Sequence, residues 1–138
     1  MRATKLVRRI KHLSYSERLR KLKLPTLKFR RVRGDMIQVY KDLVVSGTYD
    51  GTANLELEFN KYSATRGNGF KLYKGQVKYD LRKYFFTNRI VDVWNSLPEN
   101  VVSADSINSF KNRLDRYWID QSVYYDWESD IQCRSRKP

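Results

Sequence analysis

Basic side chains are concentrated in the first quarter of this chain. Residues 1–33 hold 13 lysines and arginines and a single acid, Glu17, whereas the other 105 residues hold 15 basic and 14 acidic side chains. Lysine and arginine at this density neutralise phosphates, and arginine can also hold a phosphate through two parallel hydrogen bonds. The pattern predicts a protein that binds nucleic acid or another polyanion, with a basic face that serves only solubility as the alternative.

The candidate phosphate contacts all lie in this basic stretch. They are Arg8, Arg9, Lys11, Arg18, Arg20, Lys21, Lys23, Lys28, Arg30, Arg31 and Arg33. Because they spread around three predicted helices, they cannot all face one way, and some of them must be ordinary solvated charges.

Residues that could bind a metal or carry out catalysis are few. His12 and Cys133 are the only histidine and cysteine, 121 positions apart, and cannot form a metal site with nitrogen and sulfur ligands. Glu56 and Glu58 fit a solvated strand edge, and the acids of residues 126–130 fit a solvated tail. No phosphate-binding glycine loop, dinucleotide fingerprint or nucleophile elbow is present. We therefore expect no catalysis and no cofactor.

The basic residues are expected on three helices. Residues 4–13 have apolar residues at helical spacing, which predicts a short amphipathic helix. A second helix is predicted over residues 16–22, capped by Ser14 or Ser16. A third runs from Pro25 to about residue 44, and Gly34 inside it indicates a kink or a close approach.

The middle of the chain has short β patterns. Apolar and acidic residues alternate over 55–59, which predicts a half-buried strand, and residues 65–69 form a turn signal. Residues 70–86 then predict one or two short strands that form a β-hairpin, with a turn at residues 74–75.

Two further helices follow. The first is predicted over residues 88–96 with Thr87 as its cap, and residues 98–102 are interpreted as a linker. The last is predicted over about residues 106–121, capped by Ser103 or Asp105.

The predicted fold class is therefore mainly α: one small domain of about five helices with a short β-hairpin before the last helix pair. Its segments are a basic helical part (1–44), a loop and short β element (45–78), an aromatic core with the C-terminal helices (79–121) and a tail (122–138). Residues 79–98 combine four large aromatic residues with a helix, so we expect the core to form around them.

The expected location is intracellular, in the nucleus or cytoplasm. No apolar run approaches the ~18 residues of a membrane span, so no membrane partner is expected. The basic N-terminus lacks the apolar region of a secretion signal, and mitochondrial targeting is the alternative interpretation. A single cysteine excludes an intrachain disulfide and suits a reducing compartment.

Three stretches also carry a family resemblance. They cover residues 12–41, 65–74 and 78–118, and include the strings LRKLKLPTLKFRRVRGDMIQVYK, TRGNGFKLYK and RKYFFTNRIVDVWNSLPENVVSADSINSFKNRLDRYW. In collinear order they resemble the C-terminal region of reverse transcriptases encoded by animal non-LTR (LINE-type) retrotransposons, from about Arg2 to Asp130.

The resemblance implies a thumb-like and post-thumb segment, whose helices grip the backbone of a template–primer duplex. Arg30 and Arg31, with Gly34, Asp35 and Met36, match the R-R…G-D-M pattern of that family. The two arginines either contact phosphate or pair with Asp35.

The polymerase motif [FY]-x-D-D of such enzymes is absent, since the chain contains no Asp-Asp pair. The expected function is therefore non-catalytic binding of RNA or an RNA–DNA duplex, with the upstream polymerase domains as a further partner. The alternative is a structural remnant or interaction module that needs those missing domains.

Overall fold

The computed structural model describes residues 2–42, 69–73 and 86–133, with side chains from residue 90 onward in the last range. The chain is mainly helical, as predicted. It divides into two compact units: unit 1 comprises Met1–Arg33 and Asp120–Gln132, and unit 2 comprises Gly34–Ile119 and Cys133–Pro138. The predicted strand at 55–59 and most of the predicted hairpin lie outside the described residues, although Leu72 forms a single β-bridge.

The helices have the following bounds. They are α1 (Tyr15–Leu22), α2 (Leu27–Tyr40), α3 (Phe86–Asn95), α4 (Glu99–Val102) and α5 (Ile107–Tyr117), with short 3-10 helices at Ala3–Leu6, Arg8–Ile10 and Ser122–Tyr124.

The single helix predicted over residues 4–13 is wrong. Two 3-10 turns occupy this stretch, and Val7 between them has an extended backbone with φ −77° and ψ 102°. Neither turn has a side-chain cap, and Leu6 stays 83% exposed while Ile10 is buried. A short helix is marginal in water without caps and without a buried apolar face, so the stretch forms separate turns.

Helix α1 forms as predicted because backbone groups at both of its ends have hydrogen-bond partners. Of the two predicted caps, Ser14 is the N-cap: its hydroxyl accepts from the Glu17 N–H, and the Glu17 carboxylate accepts from the Ser14 N–H. This reciprocal pair is a capping box. At the other end, the Leu24 N–H donates to the Leu19 carbonyl at 3.0 Å, which closes the last turn.

Helix α2 begins at Leu27, two residues later than predicted, because Thr26 is its cap. The Thr26 hydroxyl accepts from the Phe29 N–H at 3.2 Å. The helix buries Phe29, Met36 and Tyr40, which follow one another at helical spacing. The described residues give no support for the close approach predicted at Gly34, since none of their atoms lies within 4 Å of a Cβ added there.

The described core of unit 2 is aromatic. Tyr40 stacks on Phe110 with ring centroids 4.3 Å apart, and its hydroxyl donates to the Ala104 carbonyl. Trp94, fully buried on α3, donates its indole N–H to the Phe70 carbonyl at 2.8 Å. The Asn95 side chain pairs with both the N–H and the carbonyl of Leu72. These contacts bring residues 69–73 onto α3, the helix at which the sequence predicts the core.

Three expectations about unit 2 need correction. Helix α3 begins at Phe86, so Thr87 lies inside it rather than at its cap. The supposed linker 98–102 contains helix α4, which buries Val101 and Val102. The cap of α5 is Ser106, not Ser103 or Asp105, since its hydroxyl accepts from the Ser109 N–H. The Ser106 hydrogen bond sets the start of α5, and the two buried valines hold α4 in place.

The last predicted helix also ends early. Helix α5 stops at Tyr117 instead of continuing to residue 121. Beyond it, the Gln121 side chain accepts from the Gln132 N–H at 3.0 Å and donates to the Gln132 carbonyl at 3.2 Å. Gln121 therefore closes a loop within unit 1.

Candidate nucleic-acid interface

Unit 1 contains all eleven predicted phosphate contacts. Its ranges hold 13 basic residues against five acids, a net charge of +8. Two of the predicted contacts, Lys28 and Arg33, are partly exposed, and Arg18 is buried. The other eight are exposed: Arg8, Arg9, Lys11, Arg20, Lys21, Lys23, Arg30 and Arg31.

Arg18 is an internal residue of unit 1. It is 4% exposed, and its guanidinium donates to the Leu13 carbonyl at 2.5 Å and to the Thr4 hydroxyl at 3.1 Å. The guanidinium carbon also lies 5.8 Å from the ring centre of Tyr15, within the range of a cation–π contact. These contacts tie the N-terminal turns to α1, so the phosphate-contacting set is better limited to the other ten residues.

The C-terminal segment, Asp120–Gln132, is hydrogen-bonded to the basic part of unit 1. The Thr26 hydroxyl donates to the Val123 carbonyl at 2.6 Å, and the Thr26 N–H donates to the Tyr124 carbonyl at 2.8 Å. Thr26 and Val123 are fully buried. The sequence presents this part of the chain as an aromatic and acidic tail, and no periodic pattern indicates that it would pack.

A series of aromatic contacts leads from the interior of unit 1 to its surface. Phe29, which is buried, lies with its ring 4.9 Å from that of Tyr124, and the Tyr124 and Tyr125 rings meet edge-on at 4.7 Å. The guanidinium of Arg20 lies 5.7 Å from the ring centre of Tyr125. Arg20 is thus exposed yet held in place, which lowers the entropy that a phosphate contact would cost.

The C-terminal segment also brings acids into the basic unit. Lys28 forms an ion pair with Asp130. Asp126 accepts from the Ser129 hydroxyl at 2.7 Å and from the Glu128 N–H at 3.0 Å, and these hydrogen bonds lower the pKa of its carboxyl. The resulting turn contains Trp127, which is 46% exposed. The candidate Lys28 is therefore paired with an acid of the C-terminal segment.

Lys23 has an unusual backbone. It follows the last residue of α1 with φ 54° and ψ 37°, the left-handed conformation that glycine adopts at lowest cost. Its N–H donates to the Arg20 and Leu19 carbonyls, and its side chain is exposed. The chain therefore carries a positive charge at a position where glycine would be more stable.

The described residues of unit 2 line open grooves with basic side chains. Among the described residues that line the first, Arg113 and Arg116 are basic and none is acidic. The second contains Lys41, Lys111 and one carboxylate, Asp105. Both grooves therefore add positive charge to the surface of unit 2.

Among residues 2–42, 69–73 and 86–133, no group of three or more His, Cys, Asp or Glu side chains could hold a metal ion. Over the same ranges, no helix combines the length and the apolar composition that crossing a bilayer requires.

No protein-family model, curated protein or solved structure matches the chain. The relation to reverse transcriptases therefore stays a prediction from the sequence.

Proposed function

We propose that the chain binds nucleic acid without sequence specificity, through phosphate contacts from the basic residues of unit 1. The observation that supports this most is that ten of the eleven candidate residues are exposed or partly exposed within one unit of net charge +8. A surface with this excess of positive charge attracts polyanions and releases their counterions on binding.

The exposed side chains suit phosphate rather than base recognition. Arginine and lysine carry only hydrogen-bond donors, which match the acceptor oxygens of phosphate. Arg20 is held by its contact with Tyr125, and Lys23 by the closed end of α1. Contacts from such side chains to phosphate position the nucleic-acid backbone and carry no sequence information of their own.

The proposed partner is RNA or an RNA–DNA duplex. This choice rests on the resemblance to the thumb region of non-LTR reverse transcriptases, in which helices hold the template–primer duplex. On this proposal the chain has no catalysis of its own, polymerase domains are a further partner, and the location is the nucleus or cytoplasm.

Binding of a short fluorescent RNA–DNA duplex tests the proposal. The affinity should fall steeply as salt rises from roughly 50 to 200 mM, because each phosphate neutralised adds about one to the slope of log affinity against log salt. Two duplexes of unrelated sequence should bind equally. Failure to bind at low salt, or binding without salt dependence, would overturn the proposal.

A second candidate function is an interaction module for polymerase domains. It is favoured by the aliphatic side chains that unit 1 exposes: Leu6 is 83% exposed and Leu27 is 68% exposed. Light scattering of the isolated chain tests this candidate. Self-association that a Leu6→Ser/Leu27→Ser variant abolishes supports it, and a monodisperse monomer in both forms counts against it.

A further inference from the structure

We propose that the C-terminal segment is a built-in competitor of nucleic acid: its Asp130 holds Lys28 in the free protein, and a phosphate must displace that carboxylate to use the lysine. This inference rests on the proposed function and adds a regulation of the same surface.

The segment is anchored independently of its acids. Its start is held by the hydrogen bonds from Thr26 to the carbonyls of Val123 and Tyr124. Its end is held by the paired hydrogen bonds between the Gln121 side chain and the backbone of Gln132. The acids between these anchors therefore stay close to the basic residues when the Lys28–Asp130 contact breaks.

The charges of the segment resemble those of a short polyanion. Its 13 residues include four acids, Asp120, Asp126, Glu128 and Asp130, and no lysine or arginine. A carboxylate on Lys28 offers the same oxygen acceptors that a phosphate would offer. The two anions therefore compete for one cation.

The competing contact is weak enough to be displaced. The side chains of Lys28 and Asp130 are 39% and 84% exposed, so water screens their attraction. An anchored carboxylate nevertheless stays near Lys28 at a high effective concentration. The expected effect is a uniform decrease in affinity for nucleic acid rather than a loss of binding.

Asp130→Asn tests the competition on the full chain, with Asp120→Asn as the matched control. Both variants make unit 1 more positive by one charge, but only Asp130 pairs with Lys28. At low salt we expect Asp130→Asn to bind a short RNA–DNA duplex about fivefold more tightly than the native chain. Its salt slope should stay close to that of the native chain, because Lys28 contacts phosphate in both complexes and only the displacement of Asp130 is removed. Asp120→Asn should leave the slope unchanged.

The double variant Lys28→Gln/Asp130→Asn tests whether Lys28 is responsible for the gain in affinity of Asp130→Asn. It should bind no more tightly than Lys28→Gln alone, since no lysine remains to be released. Equal gains in affinity for Asp130→Asn and Asp120→Asn would overturn the competition while leaving the proposed function intact. Absence of binding by the native chain would instead remove the proposed function itself.

Discussion

Arg18 and its basic neighbours differ in what their side chains contact, although their residue types are the same. The Arg18 guanidinium lies inside unit 1, where the Leu13 carbonyl and the Thr4 hydroxyl accept its hydrogen bonds. Arg20, two positions later, is exposed. Arginines in a basic stretch can therefore serve either the fold or the binding surface, and substitution separates the two roles.

Arg18→Gln should destabilise the chain by about 2 to 3 kcal/mol, because two partly buried acceptors lose their charged hydrogen-bond donor. Urea denaturation measures this change. Arg9→Gln, which removes an exposed charge, should change the unfolding free energy by less than about 0.5 kcal/mol. Equal stability of the two variants would contradict the internal role of Arg18.

At Lys23, the side-chain charge favours nucleic-acid binding, whereas the left-handed backbone lowers the stability of the fold. Its left-handed backbone costs a non-glycine residue roughly 1 to 2 kcal/mol. Lys23→Gly should therefore raise the unfolding free energy by about 1 kcal/mol and lower the affinity for an RNA–DNA duplex. Denaturation and duplex titration of the same variant measure both effects. A stabilised variant with unchanged affinity would exclude Lys23 from the binding surface.

Ser14 and Glu17 make the start of α1 sensitive to acid. The Ser14 N–H and then its hydroxyl donate to the Glu17 carboxylate, and these bonds lower the pKa of Glu17. A carboxyl with a lowered pKa stabilises the fold above its ordinary pKa. That contribution is lost as pH falls through the lowered value.

Ser14→Ala should cost about 1 kcal/mol near neutral pH and should raise the pKa of Glu17 toward its ordinary value. Thermal unfolding measures the first effect and an NMR titration of Glu17 the second. The control is Ser16→Ala, the other predicted cap, which lies inside α1 and should leave the pKa of Glu17 unchanged. The same fall in stability for both variants would contradict the assignment of Ser14 as the cap.

At the scale of elements, Thr26 joins the basic part of the chain to the C-terminal segment. Its hydroxyl caps α2 and also donates to Val123, 97 residues away in the sequence. One buried side chain thus fixes the start of a helix and docks a segment that has only one short helical turn of its own.

Thr26→Ala should cost about 2 to 3 kcal/mol, because a buried N–H and a buried carbonyl both lose their partner. Hydrogen exchange should become faster at residues 123–126 and at the start of α2. Thr26→Ser keeps the hydroxyl and should retain most of the protection. Normal protection in Thr26→Ala would show that the segment is docked by other contacts.

The sequence predicted the helices that are determined by residues close to one another in the chain. The capping residue and apolar spacing around α1 lie within a few positions of one another, as does the buried face of α2. The packing of the C-terminal segment depends on Thr26 and Val123, whose separation leaves no periodic signal. For the same reason, the sequence does not distinguish the internal Arg18 from its exposed neighbours.

At the scale of the whole molecule, salt should act in opposite directions on folding and binding. The chain carries a net charge of +13, and +8 of it lies in the ranges of unit 1. Salt screens the mutual repulsion of these charges and so favours the folded state. It weakens the attraction of the same charges for nucleic acid. The salt slope of binding therefore reports on the proposed surface itself.

The most direct measurement compares the salt slope of duplex binding between the native chain and Arg30→Gln/Arg31→Gln. Both arginines are exposed on α2. If they contact phosphate, the double variant should have a slope smaller by about two, while Arg116→Gln, an exposed arginine of unit 2, should lower it less. Native slopes in the double variant, or an equal loss in Arg116→Gln, would contradict phosphate binding by unit 1.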